Sequence, residues 1–286
     1  MKNAAEDTFF KVKKFISCDG ILLDFSTPQV MGILNLTPDS FYDGGKYGDE
    51  TLIIKRVQEM MEEGAAMIDL GAQSTRPGAE LISAAEEWKR LEGPLKKIRK
   101  EFPSLPISID TFYADVAEKA VDAGGNMIND VSGGTMDAKM FCTLSKLKVP
   151  YVLMHMKGTP KTMQEHPEYE NVVTEVMQYF AKRMEELISK GVHDIILDPG
   201  FGFGKNVEHN YRLLKHLDLL KMLERPVLVG VSRKSMINKV LNRKAADALN
   251  GTTVLNTIAL LKGANILRVH DVREAVEAVK LVNCMS

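Results

Sequence analysis

Eight short apolar runs recur along the chain, and each is followed by a longer segment in which apolar residues have helical spacing. Nearly continuous apolar character over five or six residues is typical of strands buried on both faces, as in a parallel sheet. The runs occupy residues 30–35, 66–70, 106–110, 126–130, 150–156, 194–198, 226–232 and 265–270. About eight strand–helix repeats in roughly 250 residues predict an α/β fold, a (β/α)8 TIM barrel. A doubly wound open sheet is the competing topology, because the sequence shows alternation but not closure.

The segments between the runs predict helices. In residues 88–102, apolar side chains recur at three- and four-residue spacing, and the pair Gly93-Pro94 predicts a kink or a restart of the helix. Residues 173–187 carry a second stripe of this kind. Residues 252–264 are apolar nearly all round, so we expect that helix to be covered, for example by another subunit.

The first 28 residues precede the first strand of the barrel. The stretches "FFKVKKFIS" and "ILLDF" flank Asp19-Gly20, a typical turn of a β-hairpin. We expect this hairpin extension to plug the N-terminal mouth of the barrel. Because no linker-like change in composition follows, residues 1–286 are predicted to be a single domain.

Composition argues for a soluble cytoplasmic protein. The net charge is −1, which gives no global attraction to nucleic acid or to an anionic membrane. No apolar run approaches the roughly 20 residues that a membrane span needs. The three scattered cysteines, Cys18, Cys142 and Cys284, lack the spacing of a metal site and predict free thiols in a reducing compartment.

Every predicted strand ends in polar or charged side chains. They are Asn35, Asp69, Asp110, Asn129 with Asp130, His155, Asp198, Ser232, and Arg268 with His270. In a parallel barrel these ends meet at one face, where the loops build the active site. Any one of them, such as Asp130 or His155, could equally well hold a loop or cap a helix. The complete ring predicts a polar cleft.

Two kinds of ligand suit this cleft. The carboxylates of Asp110 and Asp198 and the amide of Asn129 are suited to a heterocycle with amino, ring N–H and carbonyl groups. Arg268 and His270, together with Asn35, are suited to an anion. The stretch "SRKS" at 232–235 should begin a helix whose N–H groups could hold another anion, and Lys234 adds a positive charge.

The loop "LDPGFGFGK" at 197–205 is glycine-rich but does not match a phosphate-binding loop, because Pro199 and Asn206 break the pattern. We interpret Asp198 as the ligand-facing acid, with the glycines in tight turns and Phe201 and Phe203 as walls of a flat pocket. The loops at 37–48 and 71–80 are rich in Gly, Pro, Ser and Thr. They are either ordinary connections or lids that exclude water.

Together these segments resemble the dihydropteroate synthase family over nearly the whole chain from about Val30. The resemblance rests on two long stretches, "MGILNLTPDSFYDGG" and "IDLGAQSTRPGA", and on "SIDT", "MINDVSGG", "LMHMKGTP", "LDPGFGFGK", "GVSRKSMI" and "LRVHDV" in the family's order. It implies a TIM barrel, a homodimer and Mg²⁺. The reaction implied joins 6-hydroxymethyl-7,8-dihydropterin pyrophosphate to p-aminobenzoate in folate biosynthesis, by a dissociative route, and sulfonamides would target it.

The resemblance also implies residue roles. Asp110, Asn129, Asp198 and Lys234 would hold the pterin with Arg268 over it, Met154 would also bind substrate, and Asn35 would bind Mg²⁺. Arg76, Arg268 and His270 would grip pyrophosphate, Ser235 would receive the p-aminobenzoate carboxylate, and Thr75, Pro77 and Phe203 would shape its slot. Asp39 would lie near the reacting carbon. The catalytic set implied is Asp39, Arg76, Asp110, Lys234 and Arg268.

Small departures and two alternatives accompany this resemblance. Gln73 stands where many members have Glu, and Tyr42 follows Phe41 where Ser is common. The alternatives are a pterin binder resembling the methyltetrahydrofolate:corrinoid methyltransferases and an inactive pterin-binding paralogue. A methyltransferase-like pterin binder needs neither a pyrophosphate site nor the "SRKS" stretch, so these features argue against it. An inactive paralogue is disfavoured because every position expected to take part in the reaction carries the expected residue.

Overall fold

A computed structural model describes residues 12–18, 20–36, 48–73, 80–159, 163 and 167–285, with backbone only for 48–50. The strands are β1 (Phe15–Cys18), β2 (Ile21–Asp24), β3 (Gln29–Asn35), β4 (Met67–Gly71), β5 (Ile107–Asp110), β6 (Met127–Asp130), β7 (Tyr151–Met154), β8 (Ile195–Asp198), β9 (Leu228–Val229) and β10 (Ile266–Val269). The α-helices are α1 (Gly48–Glu62), α2 (Ala84–Glu101), α3 (Ala114–Asp122), α4 (Met140–Leu147), α5 (Val172–Ser189), α6 (Val207–Lys215), α7 (Ser235–Leu241), α8 (Leu249–Leu261) and α9 (Val272–Asn283). Short 3-10 helices lie at Leu217–Leu223 and Ala245–Asp247.

The eight strands β3–β10 form one parallel barrel. Their order is β8-β7-β6-β5-β4-β3-β10-β9. Between β8 and β9 the ring closes through a parallel bridge of Leu197 and Val227, where the Leu197 N–H donates to the Pro226 carbonyl at 2.8 Å. This closure confirms the predicted TIM barrel and excludes the alternative open sheet.

One strand is shorter than predicted, and one predicted helix restart does not occur. The run 226–232 forms only the two-residue strand β9, and a turn follows at residues 231–234, where the Lys234 N–H donates to the Val231 carbonyl. Helix α2 does not restart at Gly93-Pro94 but continues from Ala84 to Glu101 with Pro94 inside it. Leu91 and Leu95, on either side of this pair, are both fully buried, so packing holds the helix together there.

The hairpin β1–β2 closes the N-terminal mouth of the barrel, as predicted. The two strands pair antiparallel from Phe15↔Asp24 to Cys18↔Ile21. Its buried side chains pack against inward-facing residues near the N-terminal ends of seven barrel strands, all except β5. Together these side chains are Ile16, Cys18, Leu23, Phe25, Met31, Met67, Met127, Val152, Ile196, Leu228 and Ile266. Asp19, at the predicted turn, lies outside the described residues.

Side chains alternate strictly between the interior of the barrel and the surrounding helices. In β4, Ile68 and Leu70 join the core beneath the helices, while Met67 packs inside with the hairpin. The period of two therefore turns Asp69 inward. Since one end is sealed by apolar side chains, the inward polar residues collect at the opposite end.

All three cysteines are free thiols, as predicted, with Cys18 buried and the other two exposed. Among the residues described, no helix combines the length and apolar character needed to cross a membrane.

Candidate active site

Arg268 links two other strands directly, and a third through Asp69, at the C-terminal end of the barrel. From β10, its Nε donates to Oδ2 of Asp69 in β4 at 2.6 Å, and its Nη2 donates to Oδ2 of Asp110 in β5 at 2.9 Å. The same Asp69 oxygen accepts from Nδ2 of Asn129 in β6 at 3.0 Å. Three of the predicted pterin residues are therefore held in one connected cluster, with Asp69 at its centre.

One guanidinium serves two buried carboxylates in this cluster. Burial raises the pKa of Asp110 well above its usual range; Arg268 opposes this shift and the nearby Asp69 adds to it. Burial works to lower the pKa of Arg268, but Asp69 and Asp110 together outweigh it, so that pKa is raised. Arg268 is therefore always charged, and it is the main influence that opposes the raised pKa of Asp110.

Asp198 and Lys234 form a second charged pair at this face. Burial raises the pKa of Asp198, and Lys234 is the main opposing influence. Burial lowers the pKa of Lys234 to about 8, against the attraction of Asp198. The ammonium of Lys234 donates to the carbonyl of Phe201 and lies 4.4 Å from the centre of the Phe203 ring. A neutral or charged amine is thus available beside a carboxyl group.

An apolar wall borders these polar groups. Phe112, Val131 and Met154 are buried together, and Phe203 packs against them from a half-buried position. Met154 and Phe203 therefore lie where a flat ring could contact them. Phe201 was predicted to line the same pocket, but it is fully buried in the core behind the sheet. Its backbone carbonyl contributes to the site instead of its ring.

The "GFGFGK" loop is organised from within by Lys205, which the sequence analysis did not single out. The side chain is 2% exposed, and its Nζ contacts Nδ1 of His155 at 2.9 Å and the carbonyls of His155, Gly200 and Phe203 at 3.3, 2.9 and 3.0 Å. Gly200 has a φ of +67°, and a Cβ there would lie 2.0 Å from the His155 carbonyl oxygen. The loop is thus a tight structural turn and not a phosphate cradle.

Two strand-end residues have structural positions. Asp130 faces the helices: its carboxylate accepts from the N–H and hydroxyl of Ser132, from the Gly134 N–H and from the Tyr151 hydroxyl, all within 2.9 Å. His155 is bound to Lys205, and burial lowers its pKa well below the usual value. For these two residues the loop-holding alternative is correct.

The predicted anion residues lie around β3, β9 and β10. Asn35 ends β3 in a half-buried position, and Nδ1 of His270 lies 3.0 Å from the Ser232 hydroxyl. Ser235 is exposed and begins α7, as predicted for "SRKS". Arg233 is turned away from the cleft, because its guanidinium makes two bonds to Asp271 at 2.7 and 2.9 Å.

Four predicted site residues, Asp39, Thr75, Arg76 and Pro77, lie outside the described residues. So do positions 37–47 and 74–79 of the two predicted lids, with Tyr42 among them. Gln73, at the edge of the second loop, accepts from the Ile82 N–H at 3.1 Å.

Glu87 is a fully buried carboxyl group that the sequence analysis did not identify. It lies on α2 behind the site, and burial raises its pKa to about 7, with the nearby Asp130 adding to the shift. In the sequence, Glu87 stands next to Trp88, the first residue of an apolar helical stripe. Charged residues beside such a stripe are normally exposed, so the sequence gives no sign that Glu87 is buried.

We expect Glu87→Gln to remove a pH-dependent loss of stability. Because the folded-state pKa of about 7 exceeds the ordinary 4.5, the contribution of Glu87 is present below pH 4.5 and lost as pH rises through 7. The loss is at most about 3 kcal/mol. Urea denaturation should show similar stability of variant and wild type near pH ~5 and a more stable variant near pH ~8. Glu101→Gln, exposed on the same helix, is the control; equal effects of Glu87→Gln at both pH values would contradict this account.

Comparison with known proteins agrees with this geometry. A family model described as "Pterin binding enzyme" matches residues 31–270. The chain is 42% identical over 269 residues to dihydropteroate synthase of Escherichia coli K12, covering 92% of this chain and 93% of that protein. The dihydropteroate synthase of Yersinia pestis, solved with a sulfonamide drug complex, is 41% identical with a TM-score of 0.89, covering 95% of this chain and 98% of the other. That of Xanthomonas albilineans, solved with 4-aminobenzoic acid, is 37% identical with the same TM-score and coverage. The chain belongs to the dihydropteroate synthase family of pterin-binding enzymes.

Proposed function

We propose that this protein condenses 6-hydroxymethyl-7,8-dihydropterin pyrophosphate with p-aminobenzoate, giving 7,8-dihydropteroate and pyrophosphate. The observation that carries the proposal is the convergence of Asp110, Asn129, Asp198, Lys234 and Arg268 at one end of the barrel. Relatives that share 42% of their residues carry the same activity in their names. The three free thiols suit a reducing cytoplasm.

Recognition of the pterin follows from the donors and acceptors in the cleft. Asp110 and Asp198 offer carboxyl groups to ring N–H and amino groups, and Lys234 offers a donor to a ring carbonyl or nitrogen. Met154 and Phe203 provide apolar contacts for the faces and edge of the ring. Because the polar groups are buried, a ring that fails to match them would leave unpaired groups, which is costly.

Departure of pyrophosphate leaves a resonance-stabilised cation on the pterin methylene in the proposed route. A carboxylate at Asp110 favours positive charge on the ring, in a site whose charges are already in place. Arg268 and His270 bind the leaving anion, with Arg76 from outside the described residues. The arylamine then attacks without a strong general base, since its nitrogen is already nucleophilic.

We propose that Mg²⁺ accompanies the pyrophosphate, with the amide oxygen of Asn35 as the protein ligand. In the described part of the chain, no group of three or more His, Cys, Asp or Glu is placed to hold a metal ion. A single amide oxygen at the C-terminal end of the barrel suits Mg²⁺, because this ion keeps several waters and is commonly bound through substrate phosphates. When bound, the ion would offset negative charge on the leaving group.

The p-aminobenzoate slot is proposed beside Phe203, with Ser235 receiving the carboxylate at the start of α7. Thr75 and Pro77 would complete it, and Asp39 would approach the reacting carbon. A sulfonamide resembles p-aminobenzoate in shape, so we expect it to compete for this slot; the Y. pestis relative was solved with a sulfonamide drug complex.

Pyrophosphate release from the pterin substrate, measured with and without p-aminobenzoate, tests the proposal. Aryl-dependent release by a folded sample supports it. Binding of the pterin substrate by a folded sample without aryl-dependent turnover supports the inactive paralogue. Transfer of a methyl group from methyltetrahydrofolate to a corrinoid would support the methyltransferase alternative.

We further propose a homodimer formed through α8 and its neighbours. Val254, Ile258 and Leu261 are 48%, 37% and 56% exposed and lie on one face of α8, at spacings of four and three residues. Val240 and Leu241 on α7 are also exposed, so the apolar surface extends across two adjacent helices. Exposed apolar patches of this kind commonly mark protein interfaces.

We expect Ile258→Glu to convert the dimer into a monomer, because it would bury a charge at the centre of the interface. Analytical ultracentrifugation at micromolar concentration measures the change. Leu22→Glu, at an exposed apolar position on the hairpin, is the control and should leave the mass unchanged. A wild-type protein that sediments as a monomer would contradict the proposal.

A further inference from the structure

Two neighbouring loops at the C-terminal end of the barrel carry residues proposed to bind anions. The loop from β9 to α7 leads to Ser235, and the loop from β10 to α9 contains His270. The hydroxyl of Ser232 joins these loops, because it lies 3.0 Å from Nδ1 of His270 and accepts from the His270 N–H at 3.3 Å. One residue further along each loop, Arg233 and Asp271 form a second link.

Arg233 is held through both its side chain and its backbone. Its Nε and Nη2 donate to the two carboxylate oxygens of Asp271 at 2.9 and 2.7 Å, and its Nη1 donates to the carbonyls of Ala245 and Ala246 at 3.1 and 2.9 Å. Its backbone N–H donates to the Thr252 hydroxyl on α8 at 3.0 Å. Such a two-pronged contact fixes geometry as well as charge. The two side chains are only 27% and 17% exposed, so solvent screens this pair less than a surface ion pair.

Both partners depart from the local preference for their position in the chain. Arg233 has a φ of +55°, in the left-handed region that an arginine rarely adopts. Asp271 is the N-cap residue of α9, where an aspartate normally accepts a hydrogen bond from the first turn of the helix. In the part of the chain that the structure describes, its carboxylate makes no such capping bond. A left-handed arginine and an unused cap at one ion pair indicate that the pair serves the position of the two loops.

Ser235 depends on this ion pair more than the other residues of the site do. Helix α7 begins two residues after Arg233, so the Ser235 hydroxyl and the first N–H groups of α7 follow the backbone of Arg233. Lys234 lies between them, but its long side chain is anchored separately on the carbonyl of Phe201 and can follow a small shift of its backbone. The remaining residues proposed to bind the pterin stand on other strands.

We propose that the Arg233–Asp271 ion pair is a positioning device that sets the separation between the p-aminobenzoate carboxylate at Ser235 and the pyrophosphate at His270. The arylamine has to reach the carbon that pyrophosphate leaves, so the two anion sites must be held at a fixed separation. Misplacement by about 1 Å can lower a rate by about 10²-fold. Arg233 and Asp271 act through the backbones of the two loops and are not catalytic residues. This inference rests on the proposed function.

Steady-state kinetics with p-aminobenzoate at saturating pterin pyrophosphate, and calorimetric titration with 6-hydroxymethyl-7,8-dihydropterin, test the inference. Arg233→Gln frees Asp271 to cap α9, and Asp271→Ser supplies a capping hydroxyl that is too short to hold the guanidinium, so both variants should fold. Each should lower kcat/KM for p-aminobenzoate by about tenfold or more. Each should leave the dissociation constant of the pterin within about twofold of the wild type.

The double variant shows whether the two residues act together. If both act through one ion pair, combining Arg233→Gln with Asp271→Ser should lower kcat/KM no more than about twofold below the weaker single variant. If either single variant does not fold, Asp271→Asn takes its place with the same expectation, because its amide accepts through one oxygen only.

Asp194→Asn is the matched control. It breaks the half-buried ion pair of Lys13 and Asp194, 2.6 Å long, at the opposite end of the barrel, and should leave kcat/KM unchanged. The inference is overturned if Arg233→Gln or Asp271→Ser keeps the wild-type kcat/KM, if their losses multiply in the double variant, or if pterin affinity falls as much as kcat/KM. An equal loss in Asp194→Asn also overturns it. These outcomes reject this inference alone, whereas a wild type without aryl-dependent turnover rejects the proposed function and this inference with it.

Discussion

Asp110→Ala should lower kcat/KM by about 10²–10³ while leaving the barrel folded. In the proposed route Asp110 favours positive charge on the pterin ring, and removal of one preorganised electrostatic group typically has an effect of this size. Folding should tolerate the change, because Arg268 keeps its bond to Asp69 at 2.6 Å and is not left as an unpaired buried charge. Burial raises the pKa of Asp110, which means that ionised Asp110 destabilises the folded state. The alanine variant removes this destabilising group.

Steady-state kinetics and thermal unfolding of the same sample measure the two effects. Asp115→Ala, at an exposed position on the following helix, is the control and should leave kcat/KM unchanged. Lys234→Ala should resemble Asp110→Ala, because Asp198 loses the cation that opposes its raised pKa. If Asp110→Ala has normal turnover below its melting temperature and melts far earlier than the wild type, the role of Asp110 is structural.

The alternation of strands and helices was predictable from the sequence because strands buried on both faces must be apolar throughout. The same property conceals which strand residues face the interior. Asn129 and Asp130 are neighbours in one polar strand end, yet one faces the site and the other faces the helices. Counting by two from Met127, which faces the hairpin, would have separated them.

The polar ring at the strand ends was also predictable, since parallel strands bring their C-terminal ends together. The partners of each member were not, because they come from other strands. The pairing of Arg268 with Asp69 spans 199 residues and that of Lys205 with His155 spans 50. A phenylalanine in a glycine-rich loop could likewise face either side, and only the packed loop places Phe203 at the site and Phe201 in the core.

Lys205→Met should destabilise the protein by about 3 kcal/mol at neutral pH, because it keeps the length of the side chain but removes its donors. The carbonyls of Gly200 and Phe203 would then be buried without a partner, at a cost of about 1–3 kcal/mol each. Removing a buried amine, whose pKa burial lowers to about 7, partly offsets this cost. For a chain of this size, the melting temperature should fall on the order of 5–10 °C. Lys215→Met, at an exposed position on α6, is the control and should melt with the wild type.

The pH dependence of the difference separates this explanation from a simple loss of packing. Lys205 has a folded-state pKa of about 7 against an ordinary value of 10.5, so the unfolded chain binds more protons between these two values. The stability contribution of Lys205 is therefore present above pH 10.5 and lost as pH falls through 7. Urea denaturation of both proteins should show the advantage of the wild type growing by roughly 1 kcal/mol per pH unit above neutrality. An advantage that stays constant or shrinks over that range would mean that Lys205 is not buried as an amine bonded to the loop carbonyls.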